Sequence, residues 1–185
     1  MKKIKYFNKT SEEYGFFCNF YKPIKLIINN ESWDTSESYF QAMKFRDEKK
    51  NIRRIEYYNI IKNCDSPMKA KMLGTQNPDN RFAKKWKINK NTDNRLVVDI
   101  INEYKDITIR RDWEKIKDYV MINVIVEKFL QNKDLLFSLN IDNNMFFIEN
   151  TKRDIYWGDG GDGGTGKIGK NKLGKIITKT LEFLI

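Results

Sequence analysis

Three polar residues with complementary chemistry lie at helical spacing near the start of the chain. Glu37, Gln41 and Lys44 are four and seven positions apart, so a helix would place them on one face. Glu37 would stand in the first turn, where the helix dipole favours an ionised carboxylate. A carboxylate, an amide and an amine on one face are groups that could act together in one site. An exposed polar face with an ordinary Glu–Lys pair explains the same spacing.

A second carboxylate, Asp154, precedes the segment Ile155-Tyr156-Trp157-Gly158 near the other end of the chain. Aromatic faces stack on bases and glycine admits a ribose, so this segment suits a sugar- or base-binding cleft. The alternative is that Asp154 closes a turn and Trp157 belongs to the core. If Glu37 and Asp154 meet, one carboxyl can orient water or stabilise charge at the anomeric carbon while the other protonates the leaving group. Such a pair would cleave a glycosidic bond.

The amino-acid composition excludes several other chemistries. The 185 residues include no histidine and only two cysteines, Cys18 and Cys64. Ser-His-Asp and Cys-His catalysis are therefore excluded. Every zinc site that contains histidine is excluded too, and two cysteines cannot complete a thiolate site. Any acid–base chemistry must come from Asp, Glu, Lys, Tyr or Cys.

The glycine-rich stretch from Gly158 to Gly174 contains two motifs that mislead. Residues 158–163 fit the dinucleotide fingerprint, but too little chain follows to supply the helix, strand and acidic residue that it needs. Residues 161–167 fit most of a phosphate-binding loop, but Ile168 replaces the hydroxyl that binds magnesium. Backbone N–H groups in such turns can still contact phosphate, with lysines nearby. A surface loop that carries lysines is the alternative.

The net charge of +10 suggests an anionic partner, such as nucleic acid or a phosphorylated small molecule, although lysine-rich composition alone also produces it. Hydrophobic residues make up 40 % of the chain and aromatic residues 14 %, which is enough for a core. The chain has no long apolar run, and no apolar segment follows the basic N-terminus. With so few cysteines, we expect a cytoplasmic protein.

The apolar pattern predicts an α+β fold: a single, mainly helical domain over residues 1–185, with a small β-sheet. Thr35 or Asp34 would cap the helix that carries Glu37, and this helix would end near Lys50. Strands are expected within 16–33 and at Met145–Glu149. A polar loop covers 75–92, and the remaining helical patterns cover 52–63, 66–74, 96–104, 112–131, 135–139 and 173–184.

A series of motifs in this order resembles the NADAR family, also called YbiA-like. The first motifs are Phe17-Cys18-Asn19-Phe20 and the run from Trp33 to Phe45. The later motifs are Ser66-Pro67-Met68, Lys71-Met72-Leu73-Gly74, Asp112-Trp113-Glu114 with Met121, Lys128-Phe129, Glu149, Asp154, Trp157-Gly158-Asp159-Gly160 and Asn171-Lys172-Leu173-Gly174. Together they cover the chain from about Phe16 to Phe183.

The resemblance implies a compact α+β fold and metal-independent hydrolysis of N-glycosidic bonds, with no cofactor. One branch of the family clears phosphoribosylaminopyrimidine intermediates of riboflavin biosynthesis, and another removes ADP-ribose from guanine, including guanine in DNA. The expected partner is therefore a phosphorylated ribosyl or ADP-ribosyl substrate, with ADP-ribosylated DNA as a candidate and neither membrane nor metal. The alternatives are a module that binds NAD or ADP-ribose without cleaving it, and a nonspecific nucleic-acid binder.

Carried over residue by residue, the family's catalytic positions match Glu37, Trp113 and Asp154. Its ligand-contact positions match Asn19, Phe20, Gln41, Lys44, Trp157, Gly158, Gly160 and Asn171. In our hypothesis Glu37 stabilises an oxocarbenium-like centre or activates water, and Asp154 holds the ribose hydroxyls or acts as acid. Trp113 stacks on the base, and Lys44 contacts phosphate or attacks C1 of an opened sugar as an amine.

The sequence departs from the family pattern at Cys18 and Ser38, where the family usually has Ser and often has His. The region from Thr75 to Arg111 is longer than in the bacterial form and is predicted to contain an insertion. Its basic residues include Arg81, Lys84, Lys85, Lys87, Lys90, Arg95, Arg110 and Arg111. They could extend substrate choice toward nucleic acid through phosphate contacts. An ordinary surface insertion is the alternative.

Overall fold

The computed structural model describes residues 2–46, 51–88 and 95–185. Within them the chain forms α-helices, a short 3₁₀ helix and two small β-sheets, which confirms the α+β class. It divides into two compact units: the first comprises Met1–Leu26 and Met121–Ile185, and the second comprises Ile27–Val120. The single domain with an insertion at 75–111 stays a prediction. None of the described helices is long and apolar enough to cross a membrane.

Two parallel strands and an amphipathic helix form the framework of the first unit. β1 (Lys3–Phe7) pairs with β4 (Met145–Glu149) in parallel, each residue of β1 opposite one residue of β4. α7 (Lys172–Leu184) packs against β4 and buries its apolar face there. The sequence pattern predicts β4 and α7 but not β1, which is only five residues long and lies in the basic N-terminal segment.

Side chains rather than a third strand satisfy the second edge of β4. The N–H of Phe147 donates to Thr178 Oγ1 at 3.0 Å. Asn171 Nδ2 donates to the Phe147 carbonyl at 3.0 Å, and Asn171 Oδ1 accepts from the N–H of Glu149 at 3.0 Å. Backbone polar groups that are buried need such partners, so these two side chains anchor α7 to the sheet.

An aromatic cluster fills the first unit. The ring centroid of Phe17 lies 4.7 Å from that of Phe147 and 5.5 Å from that of Phe129, and all three side chains are fully buried. Phe17 comes from the 3₁₀ helix Gly15–Phe17. The Phe17 and Phe147 rings meet edge to face, the arrangement that the ring quadrupole favours.

The second unit begins with a hairpin. β2 (Ile27–Ile28) and β3 (Glu31–Ser32) are antiparallel, and the two residues between them, Asn29 and Asn30, have φ of 52° and 61°. Two consecutive left-handed residues form the tight turn whose twist suits a two-residue hairpin loop. This hairpin confirms the strands predicted within 16–33, although it covers only the end of that range.

The first α-helix of the second unit carries the predicted catalytic face, and two other helices pack against it. α1 (Ser36–Met43) starts at Thr35, whose Oγ1 accepts from the N–H of Ser38 at 3.1 Å while Ser38 Oγ accepts from the N–H of Thr35. This reciprocal cap confirms Thr35 as the start of the helix. α1 packs against α2 (Ile52–Lys62) and α3 (Pro67–Thr75), and α4 (Val97–Glu103) packs against α3.

The remaining helices also follow the predictions, with shifted ends. α5 (Trp113–Gln131) and α6 (Lys133–Phe137) match the last two patterns before β4. α1 ends at Met43 rather than near Lys50, and residues 47–50 lie outside the described residues. The predicted loop at 75–92 forms turns and a β-bridge from Lys87 to Leu96, with residues 89–94 outside the described part.

Candidate functional site

The predicted polar face of α1 is buried within the protein. Glu37, Gln41 and Lys44 are only 5 %, 4 % and 8 % exposed. Gln41 Nε2 donates to Glu37 Oε1 at 2.8 Å, and Lys44 Nζ donates to the carbonyl of Gly74 at 3.1 Å. The alternative of an exposed polar face is therefore wrong. Polar groups are costly to bury, so a buried cluster of this kind is typical of a functional site.

Two aromatic rings flank the amine of this cluster. The centroids of Phe40 and Trp113 are 5.0 Å apart in an edge-to-face arrangement, and Lys44 Nζ lies 5.9 Å from the first and 6.0 Å from the second. Trp113, the first residue of α5, is 6 % exposed. The second unit thus brings together four predicted site residues: Glu37, Gln41, Lys44 and Trp113.

The surroundings of Lys44 change its protonation. Burial lowers the pKa of Lys44 to about 8, the charge of Lys71 acts in the same direction, and the charges of Glu37 and Glu114 oppose it. An ordinary lysine is almost entirely protonated at neutral pH, whereas this one has an appreciable neutral fraction. A neutral amine can act as a nucleophile.

Gly74 on α3 allows the close approach of Gln41. A Cβ at position 74 would stand 2.0 Å from Gln41 Oε1 and 2.8 Å from Gln41 Cβ, so no other residue fits there unless something moves. Gln41 Oε1 is buried, and no described residue donates a hydrogen bond to it. That oxygen can therefore accept from a ligand. The sequence pattern matches Gly74 to a family motif and predicts a helix end there, but α3 continues to Thr75.

Asp154 belongs to the first unit, where it closes a turn. Its Oδ1 accepts from the N–H of Tyr156 at 2.9 Å and from the N–H of Trp157 at 2.8 Å. Trp157 is half-buried and meets the Tyr156 ring edge to face, with centroids 5.0 Å apart. The turn-closing alternative is confirmed, and a part of the Trp157 side chain remains accessible.

Three further predicted contact residues have structural tasks in the first unit. A Cβ at Gly158 would stand 2.3 Å from Thr151 Cγ2, and Gly160 has a φ of +66° that favours glycine. Both polar atoms of the Asn171 side chain form hydrogen bonds with the backbone of β4. Direct contact of these three residues with a ligand stays a prediction.

Two carboxylates organise the glycine-rich stretch from within. The two carboxylates are those of Asp159 and Asp162, and both accept hydrogen bonds from the loop backbone. Asp159 is fully buried. The donors, at 2.8–3.1 Å, are the N–H groups of Thr151, Gly161 and Gly163 for Asp159 and those of Gly164, Thr165 and Ile168 for Asp162. These bonds, led by that from Ile168, lower the pKa of Asp162 to about 2.

The hypothesis that this loop presents its N–H groups to phosphate is therefore wrong for the amides that these two aspartates occupy. Each aspartate is followed two residues later by glycine, in Asp159-Gly160-Gly161 and Asp162-Gly163-Gly164. Aspartate side chains commonly accept from the backbone two residues ahead, so this pattern could have indicated self-contained turns.

The turn Cys18–Tyr21 carries the last two predicted contact residues, Asn19 and Phe20. The N–H of Tyr21 donates to the Cys18 carbonyl at 3.1 Å. Asn19 Nδ2 donates to Met121 Sδ at 3.6 Å, whereas Asn19 Oδ1 is buried without a hydrogen-bond donor among the described residues. Phe20 is half-buried. This turn thus presents an acceptor for a ligand.

The predicted site residues are divided between the two units. Glu37 belongs to the second unit and Asp154 to the first, so their meeting in one cleft stays a prediction. In the ranges that the structure describes, no group of three or more Cys, Asp or Glu side chains is placed to hold a metal ion.

Within this α+β fold, the buried carboxylate, amide and amine of the Glu37 face form a candidate enzyme active site. The model of the NADAR domain matches residues 6–184, and the chain therefore belongs to the NADAR family.

Relatives named as enzymes are similar to almost the whole chain. The N-glycosidase YbiA of Escherichia coli is 33 % identical over 179 residues, which cover 96 % of this chain and 86 % of that protein. An N-glycosidase of Nostoc punctiforme is 27 % identical over 177 residues, covering 96 % and 90 %. A riboflavin biosynthesis protein of Vibrio vulnificus is 29 % identical over 97 % of this chain, but the match covers only 38 % of that longer protein.

A solved structure agrees with the sequence comparisons. The NMR structure of E. coli YbiA matches 99 % of this chain and 85 % of its own, with a TM-score of 0.65 and 32 % identity. The predicted family and fold are confirmed. The predicted enzyme class is confirmed as well, because these relatives are named N-glycosidases, that is, hydrolases acting on N-glycosyl bonds.

Proposed function

We propose that this chain hydrolyses the bond between ribose C1 and a guanine nitrogen in ADP-ribosylated guanine, as a nucleotide or within DNA. The observation that carries the proposal is the buried polar face of α1, where Gln41 holds Glu37 and the amine of Lys44 lies beside the Phe40–Trp113 ring pair. The named relatives support the class of bond. The net charge of +10 supports a substrate with several phosphate charges.

Glu37 acts on the anomeric carbon in this proposal. As the C1–N bond weakens, positive charge develops at C1, and a nearby carboxylate stabilises it or orients the attacking water. The hydrogen bond from Gln41 Nε2 fixes the carboxylate in advance, so little reorganisation is needed during the reaction. Trp113 offers an aromatic surface to the departing base.

Lys44 has two candidate roles. As an ammonium it contacts a substrate phosphate. As a neutral amine it adds to C1 of the ring-opened sugar, and the base nitrogen leaves with a proton as its bond to C1 breaks. Water then hydrolyses the resulting lysine imine, which releases the sugar and restores the amine. The pKa of about 8 supports the second role, because only the neutral amine can attack.

Asp154 is assigned to the ribose hydroxyls rather than to the leaving group. Its Oδ1 already accepts two backbone N–H bonds. A carboxylate held in this way acts as an acceptor, and ribose hydroxyls are donors. This role requires Asp154 to reach the same substrate on which Glu37 acts.

A second candidate substrate is a phosphoribosylaminopyrimidine intermediate of riboflavin biosynthesis. The specific observation in its favour is the similarity to the riboflavin biosynthesis protein of V. vulnificus. This substrate also has a ribose C1–N bond and a phosphate, so the same residues would serve. A binding module without turnover is the competing class, and it gives no reason for a buried Glu37 beside an amine of lowered pKa.

The proposal is tested by incubating the purified protein with an ADP-ribosylated guanine oligonucleotide in the presence of EDTA. Mass spectrometry follows the loss of the ADP-ribose mass, and Glu37→Gln serves as the inactive control. Loss of this mass with the wild-type protein alone supports the proposal. An unchanged oligonucleotide, with turnover of the phosphoribosylaminopyrimidine, favours the second candidate. No turnover of either substrate by folded protein favours the binding module.

A further inference from the structure

One buried charge in the first unit has no role in the proposed chemistry. Lys128 on α5 is fully buried. Its Nζ donates to the carbonyl of Cys18 at 3.0 Å and lies 4.8 Å from the ring centroid of Phe16 and 5.9 Å from that of Tyr21. No carboxylate among the described residues forms an ion pair with it.

Burial of the Lys128 ammonium costs desolvation free energy that a side chain serving only to fill space would not require. Burial lowers the pKa of Lys128 to about 7, and the interaction with Cys18 opposes this shift. The titratable groups that face the amine are the Cys18 thiol, whose pKa burial raises to about 12, and the Tyr21 hydroxyl. A carbonyl dipole and two rings therefore carry the stabilisation of the ammonium, where an apolar residue would avoid the desolvation cost.

The carbonyl that accepts from Lys128 belongs to Cys18, the first residue of the turn Cys18–Tyr21. The same oxygen accepts from the N–H of Tyr21, so one atom receives both the bond that closes the turn and the bond that anchors it to α5. The turn carries Asn19, whose amide nitrogen is directed at Met121 and whose Oδ1 is buried without a donor among the described residues. An acceptor that is desolvated and lacks a donor is costly unless a ligand supplies one.

We infer that Lys128 is a positioning residue whose ammonium fixes the Cys18–Tyr21 turn, so that Asn19 Oδ1 accepts a hydrogen bond from a hydroxyl or N–H of the substrate. The identity of that substrate rests on the proposed function, whereas the link between Lys128 and the turn does not. When Lys128 loses its proton, it keeps two N–H donors but loses the charge that strengthens its bond to Cys18.

The first test needs no turnover. NMR of the lysine side-chain amines and of the backbone amides is recorded from pH 5 to 9 on the wild-type protein and on Lys128→Met. We expect the Lys128 resonance to titrate near pH 7 and the amides of 19–21 to shift with the same midpoint, and both changes to vanish in the variant. Amides of 19–21 that do not respond to Lys128 would overturn the inference.

The second test separates positioning from stability. Lys128→Met removes a buried charge at similar size, and Lys115→Met is the matched control at an exposed position of the same helix. We expect Lys128→Met to keep or raise the Tm while raising KM about 10-fold, the value of one hydrogen bond to a ligand, with kcat changed less. Asn19→Ala should raise KM similarly, and the double variant no more than either single one.

A lower Tm in Lys128→Met with unchanged KM would assign a merely structural role and overturn the inference. We also expect the wild-type KM to rise above pH 7 as Lys128 loses its charge, and Lys128→Arg, which stays charged over this range, should remove that rise. If the wild-type protein turns over neither substrate, the proposed function fails, and the NMR titration still decides the role of Lys128.

Discussion

Replacing Gly74 by alanine tests whether the contact between α1 and α3 holds the site together. The new Cβ would stand 2.0 Å from Gln41 Oε1, which could swing away, but also 2.8 Å from Gln41 Cβ, which is fixed to its helix. Rotation of the Gln41 side chain therefore cannot relieve the overlap, and the two helices must separate. That separation also displaces the amide that holds Glu37 and the carbonyl that accepts from Lys44.

Two effects of opposite sign determine the stability of Gly74→Ala. Alanine inside a helix is more favourable than glycine by about 1 kcal/mol. Overpacking a well-packed contact costs about 1–3 kcal/mol, and two overlaps with one residue place this case at the upper end. We therefore expect a net loss of about 1–2 kcal/mol, which is a fall in Tm of about 2–8 °C for a chain of this size.

The assay is thermal and denaturant unfolding of Gly74→Ala, measured alone and combined with Gln41→Gly. In the Gln41→Gly background the overlapping atoms are gone, so the same substitution should become stabilising by about 1 kcal/mol. Turnover of Gly74→Ala should fall further than its folded fraction explains, because Glu37 loses its fixed partner. A stabilised single variant, or effects that simply add in the double variant, would refute the reasoning.

The remaining predictions concern protonation and charge. Glu37→Gln should abolish turnover in a fixed-time product assay and leave the circular dichroism spectrum unchanged, whereas Glu56→Gln at an exposed position should keep full activity. If the Lys44 amine attacks C1, kcat should rise with pH through about 8, because its lowered pKa frees the neutral form there; a flat profile would leave only phosphate binding. The stabilisation that Asp162 gives to the glycine-rich stretch should be complete above the ordinary pKa of an aspartate and should decline progressively as the pH falls toward 2, because the pKa of Asp162 is lowered in the folded protein. Asp162→Asn should accelerate amide exchange at Ile168, whose acceptor oxygen becomes an amide nitrogen.

Periodicity and capping residues predict most of this fold correctly. Thr35 identifies the start of α1, and the apolar pattern identifies β4, α5 and α7, because each of these elements buries one continuous face. β1 escapes prediction because its alternation of lysine and apolar residues spans only five residues, too few to stand out from a basic terminus. Its strand conformation comes from pairing with β4, a partner about 140 residues away in sequence, and local propensity does not encode such a partner.

The site is predictable only in part. The spacing of Glu37, Gln41 and Lys44 indicates a shared face, but spacing cannot distinguish a buried face from an exposed one. Whether this face is buried depends on α3, whose Gly74 leaves room for Gln41, and on Trp113, which lies beside Lys44. The glycine-rich stretch illustrates the reverse error. Its glycines indicate N–H groups that are available to a ligand, but the aspartates between them accept hydrogen bonds from several of these groups.

The side chains that complete the edge of β4 also determine how the protein behaves toward other extended chains. An unpaired strand edge recruits strands from neighbouring molecules, which is a common route to aggregation. In β4 the outward-facing groups of Phe147 and Glu149 are occupied by Asn171 and Thr178, so an incoming strand finds no donors or acceptors there. The opposite strand, β1, carries Lys3, which is exposed, and Lys5, which is half-buried, and charges on an edge strand repel further copies. The occupied edge of β4 and the charge on β1 therefore both oppose extension of this two-stranded sheet by strands from other molecules.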